Sequence, residues 1–330
     1  MADKLRLSPS RILRASRCPH TVAMEILFPA TGVSEKMKAA IANGYFFEEC
    51  VTGKRPQFRE TPIAEQYYDR VGRMHDDTVD RFKDHGRWLR ETYIHPEATF
   101  GNWREVEFPE FILAGESDVE QASKSGFQII DIKLLSSIHD TLDPDGRLFT
   151  KEYALQPVSY GLMYLLEATG KDGVDTLYQA ASAFLREDLE AADGLSREWA
   201  SGISEWPELY FLAAEPVDTD KVFDIDEERY KHGKPLHQFL RVDVETPAWE
   251  YMLMLVAYLS IARAVNKMVV AKNIYSSGIH NQLDPNERRC LGKNVQGKHG
   301  GRCQFVGTCA YGQTLFNRQT INFQSVWNSD

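Results

Sequence analysis

Cysteine is scarce, with five in 330 residues at positions 18, 50, 290, 303 and 309. So few and so scattered, they do not make the dense disulfide frame of a small secreted fold. Long apolar runs are missing too. Residues 1–20 hold no hydrophobic stretch of leader length after their basic residues, and the longest uncharged helical segment, Tyr251 to Ala262, is too short to span a bilayer. No unit of about 20 to 50 residues recurs, and no low-complexity tract interrupts the chain, which excludes solenoids and propellers. The sequence has no G-x-x-x-x-G-K-S/T loop, so no helicase motor is built in. Basic charge is in the minority, 38 Lys and Arg against 48 Asp and Glu, for a net charge of −10. That excludes a surface coated in phosphate-binding charge, though not a local basic track. The expectation is a soluble protein of a reducing, cytoplasmic compartment with no membrane partner.

What is present is ordinary globular material: hydrophobic residues are 43% and charged residues 26%, enough to bury a core. At roughly 150 residues per domain, the length allows two domains or one elaborated domain. No clean linker appears, so the reading is one domain over 1–330. It has a core over 35–186, an insertion of unassigned role over 187–247, and a cap from 1–34 plus 275–330. Ser34 to Val51 reads as a helix with Ser34 as its N-cap. Ala64 to Tyr93 reads as one long amphipathic helix. From Trp103 the chain alternates polar and apolar residues, turns at Ser123 to Gly126, and continues as the β-rich FQIIDIKLL. Glu152 to Thr169 has helical spacing, Thr176 to Phe184 reads as a strand, and KVFDID (221–226) as another. Trp249 to Ala271 reads as a helix with its inner stripe at 253, 256, 257, 260 and 261, and from Tyr275 the chain is loop-like. This order predicts an α/β fold with a mixed central sheet flanked by helices.

The chemistry gathers around Gly115-Glu116-Ser117-Asp118 and Asp131-Ile132-Lys133. Residues two apart on a strand share a face, so Asp131 and Lys133 project together. An antiparallel meander brings Asp118 beside them. Two carboxylates at one spot repel unless a hard cation lies between them, and Mg²⁺ or Mn²⁺ takes oxygen ligands of this kind. A lysine there can orient an attacking water or stabilise charge at phosphorus. Asp-x-Lys is also what a cross-strand ion pair on a wet face looks like. Against that, Ile129, Ile130, Leu134 and Leu135 bracket the tripeptide, and buried charge needs a purpose. Gln156 and Tyr160, four apart, share a helical face. Pro157 puts Gln156 at or beside the helix start. Glu48, in Gly44-Tyr45-Phe46-Phe47-Glu48, is either a third ligand or part of a wet helical edge with Glu49.

In this order, Gly-x-x-x-Glu (44–48), Gly-x-x-Asp (115–118), Asp-x-Lys (131–133) and Gln-x-x-x-Tyr (156–160) resemble the PD-(D/E)XK nuclease superfamily, specifically its RecB-like branch. Leu7-Ser8-Pro9-Ser10-Arg11, followed by Cys18-Pro19, resembles the N-terminal signature of that branch. The resemblance implies a restriction-endonuclease-like core. It implies that Asp118, Asp131 and the carbonyl of Ile132 hold Mg²⁺ or Mn²⁺, that Lys133 assists the water, and that Gln156 and Tyr160 support the site. Many relatives carry a histidine near the position of Glu48, others a glutamate; Glu107 is the reserve third carboxylate.

Cys303-Gln-Phe-Val-Gly-Thr-Cys309, with Cys290 upstream and Cys18 at the other end, supplies four thiolates. Such a set holds a 4Fe–4S cluster or a structural zinc; the alternative is four unrelated buried thiols. The layout resembles the iron–sulfur members of the branch, among them CRISPR-associated RecB-like exonucleases and the AddB nuclease domain. Twelve residues separate Cys290 from Cys303, more than in those relatives, which keeps zinc open. Cys50, in an apolar helix, reads as a core thiol. Basic residues crowd both ends: Arg11, Arg14 and Arg17, with Lys4 and Arg6, then Arg289, Lys293, Lys298 and Arg302, with Arg288. Joined by the cluster, these ends would form a patch that follows a DNA backbone; apart, they are solvated termini.

The expected activity is metal-dependent hydrolysis of DNA, by a single-strand or end-directed exonuclease, 5′ to 3′ by resemblance. The expected setting is recombination, repair, replication or CRISPR-type processing. A separate helicase or recombination partner and a homo-oligomer are compatible with a stand-alone nuclease. Phage-encoded versions of the family extend the expected setting to the nucleoid or an infected host's cytoplasm. The rival reading is a non-catalytic nucleic-acid-binding protein that keeps the fold and the cluster.

Overall fold

The computed structural model describes residues 4–12, 22, 35–55, 61–73, 76–124, 126–134, 151–214 and 237–271. KVFDID, the chain beyond Tyr275, Ser34, Arg14 and Arg17 lie outside the described residues, as do Cys18, Cys290, Cys303, Cys309, Arg289, Lys293, Lys298 and Arg302. The chain divides into two compact units. One gathers Met1–Val33, Glu107–Ile112 and Leu255–Asp330, and the other Ser34–Val106 and Leu113–Met254.

In the first unit, strand β1 (Leu5–Leu7) leads into a helical turn in which Ser8 accepts the backbone N–H of Ile12 at 3.1 Å. Pro9 opens that turn, where a missing N–H costs nothing. In the second unit, the apolar stretch after position 34 forms α1 (Glu35–Thr52). The single long helix expected over 64–93 is instead two, α2 (Thr61–Gly72) and α3 (Asp76–Tyr93). Gly72 favours the stop, and Asp76 and Asp77 favour a new start, because carboxylates stabilise a helix N-terminus. The alternating stretch forms β2 (Thr99–Glu107), β3 (Phe111–Ser123) and β4 (Gly126–Leu134).

Thr176 to Phe184, expected as a strand, is helical. It completes α4 (Lys151–Phe184), which kinks at Gly170. Leu177, Ala180 and Ala181 are buried there at helical spacing, so one apolar face decides the conformation over the β-leaning aromatics. Next come α5 (Leu189–Ser201), capped by the Asp188 carboxylate on the Ala191 N–H, then β5 (Glu208–Ala214), β6 (His237–Val242) and α6 (Pro247–Ala271). The buried stripe of α6 is 251–252, 254–256, 258–259, 261–262 and 265; Leu253, Ala257 and Ser260 are only partly covered. The helix is apolar nearly all round, so the sequence period alone misplaces its inner face.

In the second unit β2 pairs with β3, and β3, β4, β5 and β6 follow in that order. The β3–β4 and β5–β6 pairs are antiparallel and β4–β5 is parallel, so this is a mixed α/β sheet. The described residues within 187–247 supply a helix and two sheet strands. Ile130 and Ile132 of β4, with Leu212 and Ala214 of β5, face a core built on Phe46, Phe47, Phe82 and Leu89 of α1 and α3. On the other face, Phe127 of β4 stacks on Tyr164 of α4, ring centroids 4.4 Å apart.

Helices α1 and α3 approach closely at Gly86. A Cβ there would lie 2.5 Å from the Cys50 carbonyl carbon and 2.6 Å from its oxygen. Gly86→Ala must push the helices apart, and the expected cost is about 1–3 kcal/mol. A lower urea midpoint at unchanged slope would show it; an unchanged midpoint would mean that the helices separate freely.

Candidate functional site

Strand pairing creates the site. Val119 lies opposite Ile130, and continuing that register by one position sets Asp118 against Asp131. The Asp118 Oδ2 accepts the backbone N–H of Ile132 at 2.6 Å, which fixes the carboxylate. Lys133 reaches back along its own strand, donating from Nζ to Asp131 Oδ1 at 2.9 Å and to the Ile132 carbonyl at 3.2 Å. Its ammonium also lies 3.8 Å from Asp118 Oδ2. Asp131 is fully buried, and its second oxygen, Oδ2, has no hydrogen-bond partner among the described residues.

Burial and crowding raise the carboxyl pKa values here. Desolvation pushes Asp131 up to about 7, with Lys133 opposing and Asp118 adding to the rise. Asp118 is also raised by burial, against the pull of Lys133 and the Ile132 N–H. Glu48 on α1 stands well above the carboxylate range, through burial and then the charges of Asp118, Glu116 and Asp131. Burial pulls the Lys133 ammonium down, but Asp131, Asp118 and Glu48 outweigh it and keep it charged. Burial and Glu48 raise the Tyr45 phenol. Three carboxyls, Asp131, Asp118 and Glu48, therefore act on one lysine.

The expected residues Glu48, Asp118, Asp131, Ile132 and Lys133 are brought together. Tyr45 and Glu116, within the Gly44–Glu48 and Gly115–Asp118 motifs, act on the same group through charge. Glu116 could have been found by spacing, being two residues from Asp118. Gly101 of β2 makes room for it: a Cβ at that position, where φ is 64°, would lie 2.6 Å from Glu116 Oε1.

Gln156 is not at a helix start. Helix α4 begins at Lys151, and Pro157 sits inside it, at the loss of one backbone donor. Gln156, Tyr160 and Tyr164 follow each other at four-residue spacing, and the first two are buried. The Phe127–Tyr164 stack puts the odd-numbered side chains of β4, Asp131 and Lys133 among them, on the α4 side. From Phe127 to Asp131 the strand advances about 13 Å, and from Tyr164 back to Gln156 the helix retreats about 12 Å. Because α4 returns between two parallel strands, Gln156 comes level with Asp131.

Other expectations fare differently. Glu107, the reserve ligand, is exposed and held by Lys4 at 2.7 Å in the first unit. This also engages Lys4 of the basic track, and the Arg11 guanidinium donates to the Arg6 carbonyl. Cys50 is half-buried, and burial followed by Glu49 pushes its thiol up to about 12, as suits an inert core cysteine.

A divalent cation can be tested against these residues. Among the described residues no group of three or more His, Cys, Asp and Glu is arranged to hold a metal. A set of two carboxylates suffices for Mg²⁺, which keeps waters and takes its remaining ligands from substrate phosphate. The excess of acid over base and the unpartnered Asp131 Oδ2 fit a hard cation. The Lys133 ammonium already uses two of the expected ligand oxygens, Asp131 Oδ1 and the Ile132 carbonyl. No helix among the described residues is long and apolar enough to cross a membrane. No protein-family model matches the chain, and no curated protein matches it.

Proposed function

We propose that the chain is a metal-dependent deoxyribonuclease of the PD-(D/E)XK type, RecB-like branch, acting on single strands or strand ends. One observation carries this reading: two buried carboxylates on neighbouring strands converge on one lysine, and one carboxylate oxygen has no partner among the described residues. Burying charges in this way is costly, and a structural ion pair would be expected to satisfy its oxygens.

Asp118, Asp131 and the Ile132 carbonyl are the residues that would hold Mg²⁺ or Mn²⁺. The cation's chemistry is Lewis-acid activation of water and neutralisation of phosphate charge. The protein's part is positioning. The Ile132 N–H sets the angle of Asp118, and Asp131 and the Ile132 carbonyl aim the Lys133 ammonium. That ammonium can donate to a non-bridging phosphate oxygen as charge builds there. Glu48, raised well above its ordinary range, can hold a proton near the leaving oxygen.

The test is incubation of anaerobically purified protein with strands labelled at either end, in Mg²⁺, in Mn²⁺ and in EDTA. Shortening that EDTA stops supports the nuclease, and the label released first gives its polarity. Metal-independent binding without shortening would instead select the non-catalytic reading.

A 4Fe–4S cluster on Cys18, Cys290, Cys303 and Cys309 belongs to the same proposal and would tie the two chain ends together. Anaerobic protein is expected to contain iron and acid-labile sulfide, and Cys303→Ser to lose both. Zinc without iron in the wild type would replace the cluster with a structural zinc.

A further inference from the structure

We propose that Trp88, backed by His237, Tyr93 and Phe239, is a stacking platform for an unpaired base of the single DNA strand whose backbone lies at Lys133. This rests on the nuclease reading and adds to it the feature of the substrate that the site recognises: a base free of its duplex partner.

Trp88 is 48% exposed on α3, yet its ring is braced from behind. It meets His237 at 4.6 Å between ring centroids, and His85 at 6.1 Å. Tyr93 donates to, or accepts from, His237 Nε2 at 3.1 Å. Tyr93 also stacks on Phe239 at 4.6 Å and 23°, and Phe239 on Tyr210 at 4.6 Å and 3°. A single exposed tryptophan is ordinary surface. Trp88 is instead half exposed at the outer end of a continuous run of ring contacts.

The position of that face matters more than its composition. Leu134 of β4 pairs with Ala214 of β5, and Ala214 pairs with His237 of β6. His237 is therefore two strand spacings, about 10 Å, from the residue that follows Lys133. The platform and the lysine stand at the same end of one sheet. The Lys133 charge reaches Tyr45 and Glu48 of α1, and α1 packs against α3, which carries Trp88. Lys133 lies on the α4 side of that sheet end and Trp88 on the α3 side, so a strand held by phosphate at Lys133 would cross the sheet end to place a base on Trp88.

The chemistry of the platform suits a base better than a phosphate. Burial lowers the pKa of His237, and it lowers that of His85 to about 4, so both imidazoles are neutral at pH 7. The rings therefore present π faces with no histidine charge, and stacking on such faces is tolerant of sequence. The backbone contact and the base contact should then respond differently to salt, because only phosphate binding releases counterions.

The experiment uses the full chain carrying Asp131→Asn to stop turnover, with and without Trp88→Ala or Trp88→Phe. Affinity is read by fluorescence anisotropy on a labelled oligo-dT and on a matched strand made abasic at its centre. Trp88→Ala is expected to weaken oligo-dT binding about tenfold, within the range for loss of one stacked base, and by the same factor at low and high salt. Trp88→Phe should recover most of the loss, and on the abasic strand all three proteins should bind alike. Equal binding of oligo-dT by wild-type and alanine proteins would overturn the proposal, and so would an equal loss on both strands. If oligo-dT is bound but no strand is ever cut by the Asp131 protein, the nuclease reading falls while the platform stands. If the strand is cut and Trp88 makes no difference, the reverse holds.

Discussion

Lys133→Ala is expected to lower metal-dependent strand cleavage by about 10²- to 10⁴-fold, the range for losing a positioned proton donor or acceptor. The ammonium is aimed by two short contacts, to Asp131 Oδ1 at 2.9 Å and the Ile132 carbonyl at 3.2 Å, and both are lost with it. What remains is a group of acids with no base. They can relieve their repulsion by taking up protons, because Asp131, Asp118 and Glu48 already have raised pKa values. The variant should therefore fold, and a melting temperature measured beside the rate would show that. Asp131→Asn should lose at least as much activity, and the double variant little more than the worse single one, since groups acting as a unit are not additive. Cleavage by Lys133→Ala at the wild-type rate would remove Lys133 from the mechanism.

Divalent cation is expected to stabilise the protein, and more so at alkaline pH. In the fold, Asp131 binds its proton up to about 7, against 3.8 for the ordinary aspartate. Over that interval the folded chain keeps a proton that the unfolded chain has released. The stability this group contributes is full below about pH 4 and is lost as the pH rises through 7. Above it, the ionised Asp131 is a buried charge that a cation can neutralise, and binding no longer has to displace a proton. At a hundredfold excess over its dissociation constant, Mn²⁺ would add about 2.7 kcal/mol. For a unit of this size that is roughly 5–10 °C in the melting temperature. The shift should be larger at pH 8 than at pH 5.5 and small in Asp131→Asn. A shift that ignores both pH and that substitution would place the cation elsewhere.

How much of this was legible beforehand differs from element to element. The Asp118–Asp131–Lys133 group could be read because a strand's period of two is short and apolar residues bracket the charges. Thr176 to Phe184 reads as a strand because Tyr178 and Phe184 lean that way, while the deciding fact, a buried face through Leu177, Ala180 and Ala181, needs a partner layer to become visible. Residues 187–247 gave no period because β5 is covered on both faces and has no polar alternation to display. The ring cluster at Trp88 was invisible for a plainer reason. Tyr93 and His237 are 144 residues apart, and only the pairing of β5 with β6 brings β6 to α3.

The parallel ladder between β4 and β5 has a consequence for how the protein is made. It joins residues 80 apart, Gln128 to Glu208, with α4 and α5 between them. The strand carrying Asp131 and Lys133 thus acquires its second neighbour only after both helices have been synthesised and have docked. Contacts of such long range form late and slowly, and until they form β4 is an open edge lined with isoleucine, ready to pair with another chain. The strand that bears Asp131 and Lys133 is therefore also one exposed to misassembly during folding. Protein made quickly and without chaperones should be lost there first.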